Sequence, residues 1–346
     1  MKKLFFFAAT ACVALASCVK NEPVTVPQDE ITFAAPVVGV QTKVNGAIGT
    51  DYDTEESFDV WCVYNTEDIE TWSGTQYFSN VTANYDETAG GWKLSTPYYW
   101  PATGQLSFVA MSPSITNTTT YDATNGFKIT QAWSQGASED DIVDLMYSEV
   151  ALNKAKGQYG TNGEELTGDV NSYKGVDITF KHALSYLVFK VQTTADYNPT
   201  IFKLNKITLS GIYTTGTFTQ KADDPWTEVT DDATKVGTYV AYTNTAGLSF
   251  DSTTAVDAAA TTGCEMILLP QALVEDKQKI KVEYQISTDG TNWLYQVQEV
   301  DLRNSTVTSW EMGKKYTYTL SIGMEEILFD PAVSAWEDGG SPTITY

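Results

Sequence analysis

The chain has 346 residues, with 44 acidic against 21 basic side chains and a formal net charge of −23. So acidic a surface repels nucleic acid and anionic lipid, which excludes both as binding partners. The length admits two domains of about 100–200 residues each, large enough to bury cores without disulfides.

The first residues have the layout of an export signal. Lys2 and Lys3 precede an apolar run, Leu4 to Ala16, which is too short to span a bilayer and is flanked as a signal peptide is. The run ends in "LASC", and Cys18 follows two small residues. That sequence resembles a bacterial lipobox, in which the cysteine is acylated and becomes the first residue. The alternative is an ordinary secreted protein with a chance cysteine. The expected segments are a signal peptide at 1–17 and a lipidated tether at 18–29, whose Pro23 and Pro27 suit an extended linker. Two or more acyl chains anchor stably, so the mature chain is expected to be tethered through a lipid at Cys18 to a membrane face outside the cytoplasm. Losing residues 1–17 removes two lysines and no acid, leaving the mature chain more acidic still.

The remainder reads as all-β. Short apolar or alternating segments recur between Gly, Asn, Asp and Pro clusters, the pattern of antiparallel β-sandwiches. In the first half these are "EITFAAP" (30–36), "FDVWCVY" (58–64), "GWKLSTPYYW" (91–100), "QLSFVAMS" (105–112) and "DLMYSEVAL" (144–152). A polar, Gly-rich stretch at 153–175 reads as a long loop. In "FKHALSYLVFKV" (180–191), periodicity does not decide whether "HALS" makes a helical turn before its strand. Further strands are 204–212, 238–244, 265–271, 279–286, 292–300 and 315–322. Asp289-Gly290 predicts a tight turn between two alternating strands. "KYTYTLSI" places Tyr316, Tyr318, Leu320 and Ile322 on one face. The expected domains are 30–178 and 179–346.

Chemistry-bearing residues are sparse. His182 is the only histidine, so any Ser-His-Asp or Cys-His centre would need it. No GxSxG surrounds a serine, and a structural hydrogen bond is the expected role for His182. Acidic groups at 138–144, 222–226 and 230–233 lack the spacing of a calcium loop and read as solvated. Cys62 and Cys264 sit in apolar runs and read as buried thiols, though pairing between them is left open. Trp72, Tyr77, Trp92, Tyr98, Tyr99 and Trp100 form either a sugar-stacking platform or, as the favoured reading, core and cross-strand packing. No metal, cofactor or catalytic centre is expected.

Taken in order, the segments "ITF" (31–33), "TKV" (42–44), "FDVWCVY", "YYWPATGQLSFVAMSP" (98–113), "DLMYSEV", "FKHALSYLVFKV", "WEMGKKYTYTLSI" (310–322) and "VSAWEDGG" (333–340) resemble the fimbrillin family of type V pilus subunits. The resemblance implies two tandem transthyretin-like antiparallel β-sandwich domains. It implies an exported lipoprotein precursor, cut after its first strand and assembled by strand exchange with other pilus subunits, and no enzyme. It places the cut near Lys43 rather than at the arginine many relatives use, because Arg303 is the sole arginine and lies far downstream. Residues 30–37 become the strand lost or swapped, and 327–346 the donor, ordered only in a neighbour. "DST" at 251–253 resembles an O-glycosylation acceptor centred on Ser252. A structural or adhesive pilus subunit is the favoured function, with a host or bacterial surface receptor as a further partner. The rival is a surface glycan-binding lipoprotein of a nutrient-uptake system; a glycosidase is weaker.

Overall fold

The structure is a computed structural model that describes residues 30–44, 47–88, 90–115, 119–129, 133–134, 143–155, 175–227, 235–251, 253–257, 265–324 and 327–335. The described residues contain no α-helix, and so none long and apolar enough to cross a membrane.

The first half supplies β1 (Thr32–Phe33), β2 (Val37–Val44), β3 (Ala47–Asp51), β4 (Phe58–Asn65), β5 (Thr75–Asp86), β6 (Gly91–Leu94) and β7 (Gln105–Ser112). After the hairpin β8 (Thr119–Asp122) and β9 (Gly126–Ile129) come β10 (Trp133–Ser134), β11 (Met146–Ser148), β12 (Ala151–Lys154) and β13 (Thr179–His182). Ten of these form one sheet in the order β1-β6-β5-β4-β7-β11-β13-β2-β3, with β12 also on β7. Because β1 and β2 are successive pieces of one chain segment, the path returns to where it began and the sheet closes on itself. Inside lies a core of Ile31, Phe33, Phe58, Trp92, Phe108 and Phe180, among others. Its rings meet mostly edge to face, as for Phe33 with Phe58 and with Phe108, each at 5.7 Å.

The second half forms two facing layers. One is β19 (Val256–Asp257), β14 (Ser185–Thr193), β25 (Lys314–Ile322) and β26 (Ile327–Ala335), with β20 (Glu265–Leu268) also on β14. The other is β18 (Val236–Phe250), β15 (Ile201–Tyr213), β22 (Lys279–Ser287) and β23 (Leu294–Asp301). The alternation of β25 is realised, with Tyr316, Tyr318, Leu320 and Ile322 all buried. Short pairs complete the half: β16 (Thr215–Phe218) with β17 (Trp226–Thr227), and β21 (Gln271–Ala272) with β24 (Ser309–Trp310).

The two halves are not separate cores. Trp61, Val109, Met111, Phe127, Ile129 and Leu145 belong to the same buried cluster as the second half's residues. Trp226 Nε1 donates to the Ala183 carbonyl at 2.7 Å, β10 pairs with β16, and Lys128 bridges Thr219.

Three local features bear on the sequence reading. The expected division after residue 178 precedes β13, which is hydrogen-bonded into the ten-stranded sheet; the sheets change between His182 and Ser185. There is no helical turn at 182–185, only a bend at Ala183-Leu184. Gly290 does take a positive φ of 69°, but six residues separate β22 from β23. The Asp289 carboxylate closes that loop by accepting the Asn292 and Thr291 N–H groups, which hold its pKa well below the usual carboxylate range.

Candidate functional site: the first strand and its slot

Residues 30–38 are seated between two neighbours. On one side the Ile31 N–H donates to the Tyr98 carbonyl at 2.8 Å, and β1 pairs antiparallel with β6. On the other side the segment runs parallel to 176–180. The Val176 N–H donates to Thr32 O (2.8 Å), Ala34 to Val176 O (3.1 Å) and Val37 to Ile178 O (2.9 Å). Thr179 and Phe180 then pair with Val37 and Val38. Ile31 and Phe33 are fully buried. Each such side chain is worth about 1.5–3 kcal/mol over an exposed one. Pro36 falls at the break between β1 and β2, where its missing N–H costs no ladder bond.

The fit depends on Gly175. Its φ is +101°, and a Cβ there would lie 2.5 Å from the Phe33 carbonyl carbon. A glycine lets the two backbones approach. Sequence reasoning assigned Gly175 to a loop and missed Val176 and Ile178 as wall residues. The period-2 burial of Val176, Ile178 and Phe180 in "GVDITF" was the available signal.

Lys43 is the penultimate residue of β2 and pairs with Ile48 of β3. Val44 pairs with Ala47. Cys18, Cys264 and Ser252 lie outside the described residues. Cys62 is a buried free thiol, and burial pushes its pKa up, keeping it protonated.

The proposed donor segment is different from expectation in its first part. Residues 327–335 are not left to await a neighbour: they pair with β25 in unbroken register from Ile322↔Ile327 to Lys314↔Ala335. With β14 on its other side, β25 has one open edge, and an adjacent apolar segment fills it. Residues 336–346 lie outside the described residues.

The other candidates take structural places. His182 Nδ1 lies 2.7 Å from Asp144 Oδ2, both side chains buried. Burial raises the Asp144 carboxyl above its usual range, and His182 draws it partly back. Among the described residues no group of three or more His, Cys, Asp or Glu could hold a metal ion. Asp223 and Asp224 are exposed; 135–142 and 228–234 lie outside the described residues. Trp92 and Trp100 are core residues, and the Tyr77 hydroxyl donates to the Tyr99 carbonyl. The six aromatics therefore do not form one platform, and Trp72 stands apart from the rest, against Tyr121.

Comparison with known proteins fits this architecture. A fimbrial protein from Bacteroides vulgatus superposes with a TM-score of 0.57 at 17% identity, covering 89% of this chain and 100% of that one. A candidate cell adhesion protein from Bacteroides uniformis gives 0.52 at 17% identity, over 89% and 98%. These likenesses are of fold. Among curated proteins no sequence match is found. A family model described as fimbrillin-like matches residues 42–336, which is most of the chain. By that match, the chain belongs to the fimbrillin-like family.

Proposed function

We propose that this protein is a structural and adhesive subunit of a fimbrium. In this reading it is exported as a lipoprotein, anchored through Cys18 to the outer membrane, and assembled with other pilus subunits by loss of its first strand. Its two β-sandwiches are of the transthyretin-like kind, and its work involves no catalysis. The observation that supports it most is the interior seating of residues 30–38. Cleavage after Lys43 would take away β1 and all but the last residue of β2. Besides β3, which would lose its partner β2, two unpaired edges would remain, at β6 and at 176–180, over a slot lined by Phe58, Phe108 and Phe180. A strand with alternating apolar side chains, supplied by another subunit, would restore both ladders and refill the core.

The donor candidate remains 327–346, and its first nine residues would have to leave β25 before they could be given away. The test is the N-terminal mass of protein sheared from its native cells. A chain beginning near Val44 is expected. One still beginning at acylated Cys18 would overturn processing and make the protein an anchor.

A further inference from the structure

We propose that the cleft between the Trp72 loop and the β8–β9 turn is a binding site for a neutral saccharide. The cleft has a volume of ≈ 320 Å³ and is floored by Trp61, Cys62 and Val63 of β4. That is the lower end of the range of ligand pockets, about 300–1,000 Å³. Trp72 and Tyr121 form a corner in its wall, with ring centroids 4.9 Å apart and planes at 77°. Both rings are half-buried, so part of each surface remains open. Ser73, Gln76, Ser79 and Asp122 line the same space.

The chemistry narrows the ligand. Among the described residues no lysine or arginine lines the cleft, and the Lys221 ammonium at its rim is spent on the Ala123 carbonyl at 2.8 Å, which leaves an anion little counter-charge. Among the described residues Asp122 is the sole acid of the lining, and bonds from Asn125 hold its carboxyl below the usual range, hence ionised. A purely apolar ligand would desolvate the Gln76 carboxamide and the serine hydroxyls without pairing them. A sugar ring meets both demands, with a C–H face for the aromatic corner and hydroxyls for the polar groups.

Both walls are fixed before any ligand arrives. Gly74 has a φ of +124°, and a Cβ there would lie 2.5 Å from the Tyr64 carbonyl oxygen, so glycine lets the loop rest on β4. The Asn153 side chain clamps the loop at Ile69, accepting its N–H and donating to its carbonyl, both at 2.9 Å. Asn65 Nδ2 donates to the Glu67 carbonyl at 2.7 Å. Opposite, Asp122 Oδ1 accepts the Thr124 and Asn125 N–H groups at 2.8 Å. A preformed site spends little binding energy on ordering itself.

This inference rests on the adhesive part of the proposed function and gives it a ligand class. The cleft uses no residue of 30–38 or of the edges that segment covers, so strand exchange and sugar binding fail separately. The test is titration of the full-length protein with methyl glycosides of glucose, galactose, mannose, fucose and N-acetylglucosamine, and with lactose and cellobiose. Binding is read by saturation-transfer NMR and calorimetry. Saturable binding of at least one sugar is expected. Trp72→Ala should weaken it about tenfold or more, while Trp293→Ala, remote on the β22–β23 connection, leaves it unchanged. Gln76→Ala, at an exposed position, should weaken binding without touching the core, and decides the matter if Trp72→Ala does not fold. No saturable binding to any of these sugars, or binding that survives the cleft substitutions, overturns the proposal.

Discussion

The first and last described strands are both apolar and both carry a proline, yet the fold uses them in opposite ways. Residues 30–38 have a neighbour on each side and send Ile31 and Phe33 into the core. Residues 327–335 have β25 alone as neighbour, and Val333 is 36% exposed. Pro331 sits within the β26 ladder opposite Tyr318, as an edge strand allows, whereas Pro36 interrupts its strand. Position in the sheet, rather than hydrophobicity, separates a strand that closes the structure from one that lies along its rim. An interior strand leaves two open ladders when it is lost; an edge strand leaves one.

The largest expected effect comes from removing everything before Val44. The loss should consume much of a stability that for ordinary domains is about 5–15 kcal/mol. Amides of β6 and of 176–180 should lose protection from hydrogen exchange, and a synthetic peptide of residues 30–38 should restore it. Unchanged protection would break the comparison. Next comes Phe33→Ala, expected to cost about 3–5 kcal/mol by denaturant titration. A loss below 1 kcal/mol, roughly that of a surface site, would show the slot collapsing around the gap.

A smaller, pH-dependent effect sits at Asp144, just before β11, whose partner His182 ends β13, the strand beside the first segment. Burial raises the Asp144 carboxyl above its unfolded value near 3.8, so folding favours its protonated form. Its contribution is complete below the unfolded value and is lost as pH rises through the folded one. The stability of the parent relative to Asp144→Asn should therefore fall over the window that opens near pH 3.8 and extends upward from it. A rise over that window would mean that the contact with His182 outweighs desolvation. The smallest effect should be Val333→Ala, within about 0.5 kcal/mol, as for an exposed edge position.

Much of the architecture could be read from local pattern. Strict alternation in "KYTYTLSI" specified both strand and buried face, because a period of two leaves one arrangement that buries four apolar side chains together. "GWKLSTPYYW" misled: its strand stops at Leu94, and Pro97 donates no ladder bond. Two-residue strands such as β21 and β24 are too short to show a period. Residues 30–36 were recognisable as a strand, but their partner at 176–180 lies far along the chain, and long-range pairing leaves no local mark. The cleft was half legible for the same reason: Trp72 was noted among the aromatics, while Tyr121 enters only through the β8–β9 fold.

The aromatic seam between the halves has a mechanical consequence. Tyr147 and Phe218 stand 5.9 Å apart across the halves, and the first half's Trp61 and Phe127, 5.2 Å apart, belong to the same continuous core as the second half's residues. A hinge needs a thin waist, and this molecule has none at its middle. In a fibre of such subunits, bending under flow would gather at the junctions between neighbours, while each subunit carried tension as a stiff bar. The compliance of the fibre would then be set by the joints between subunits and not by the subunit's own two halves.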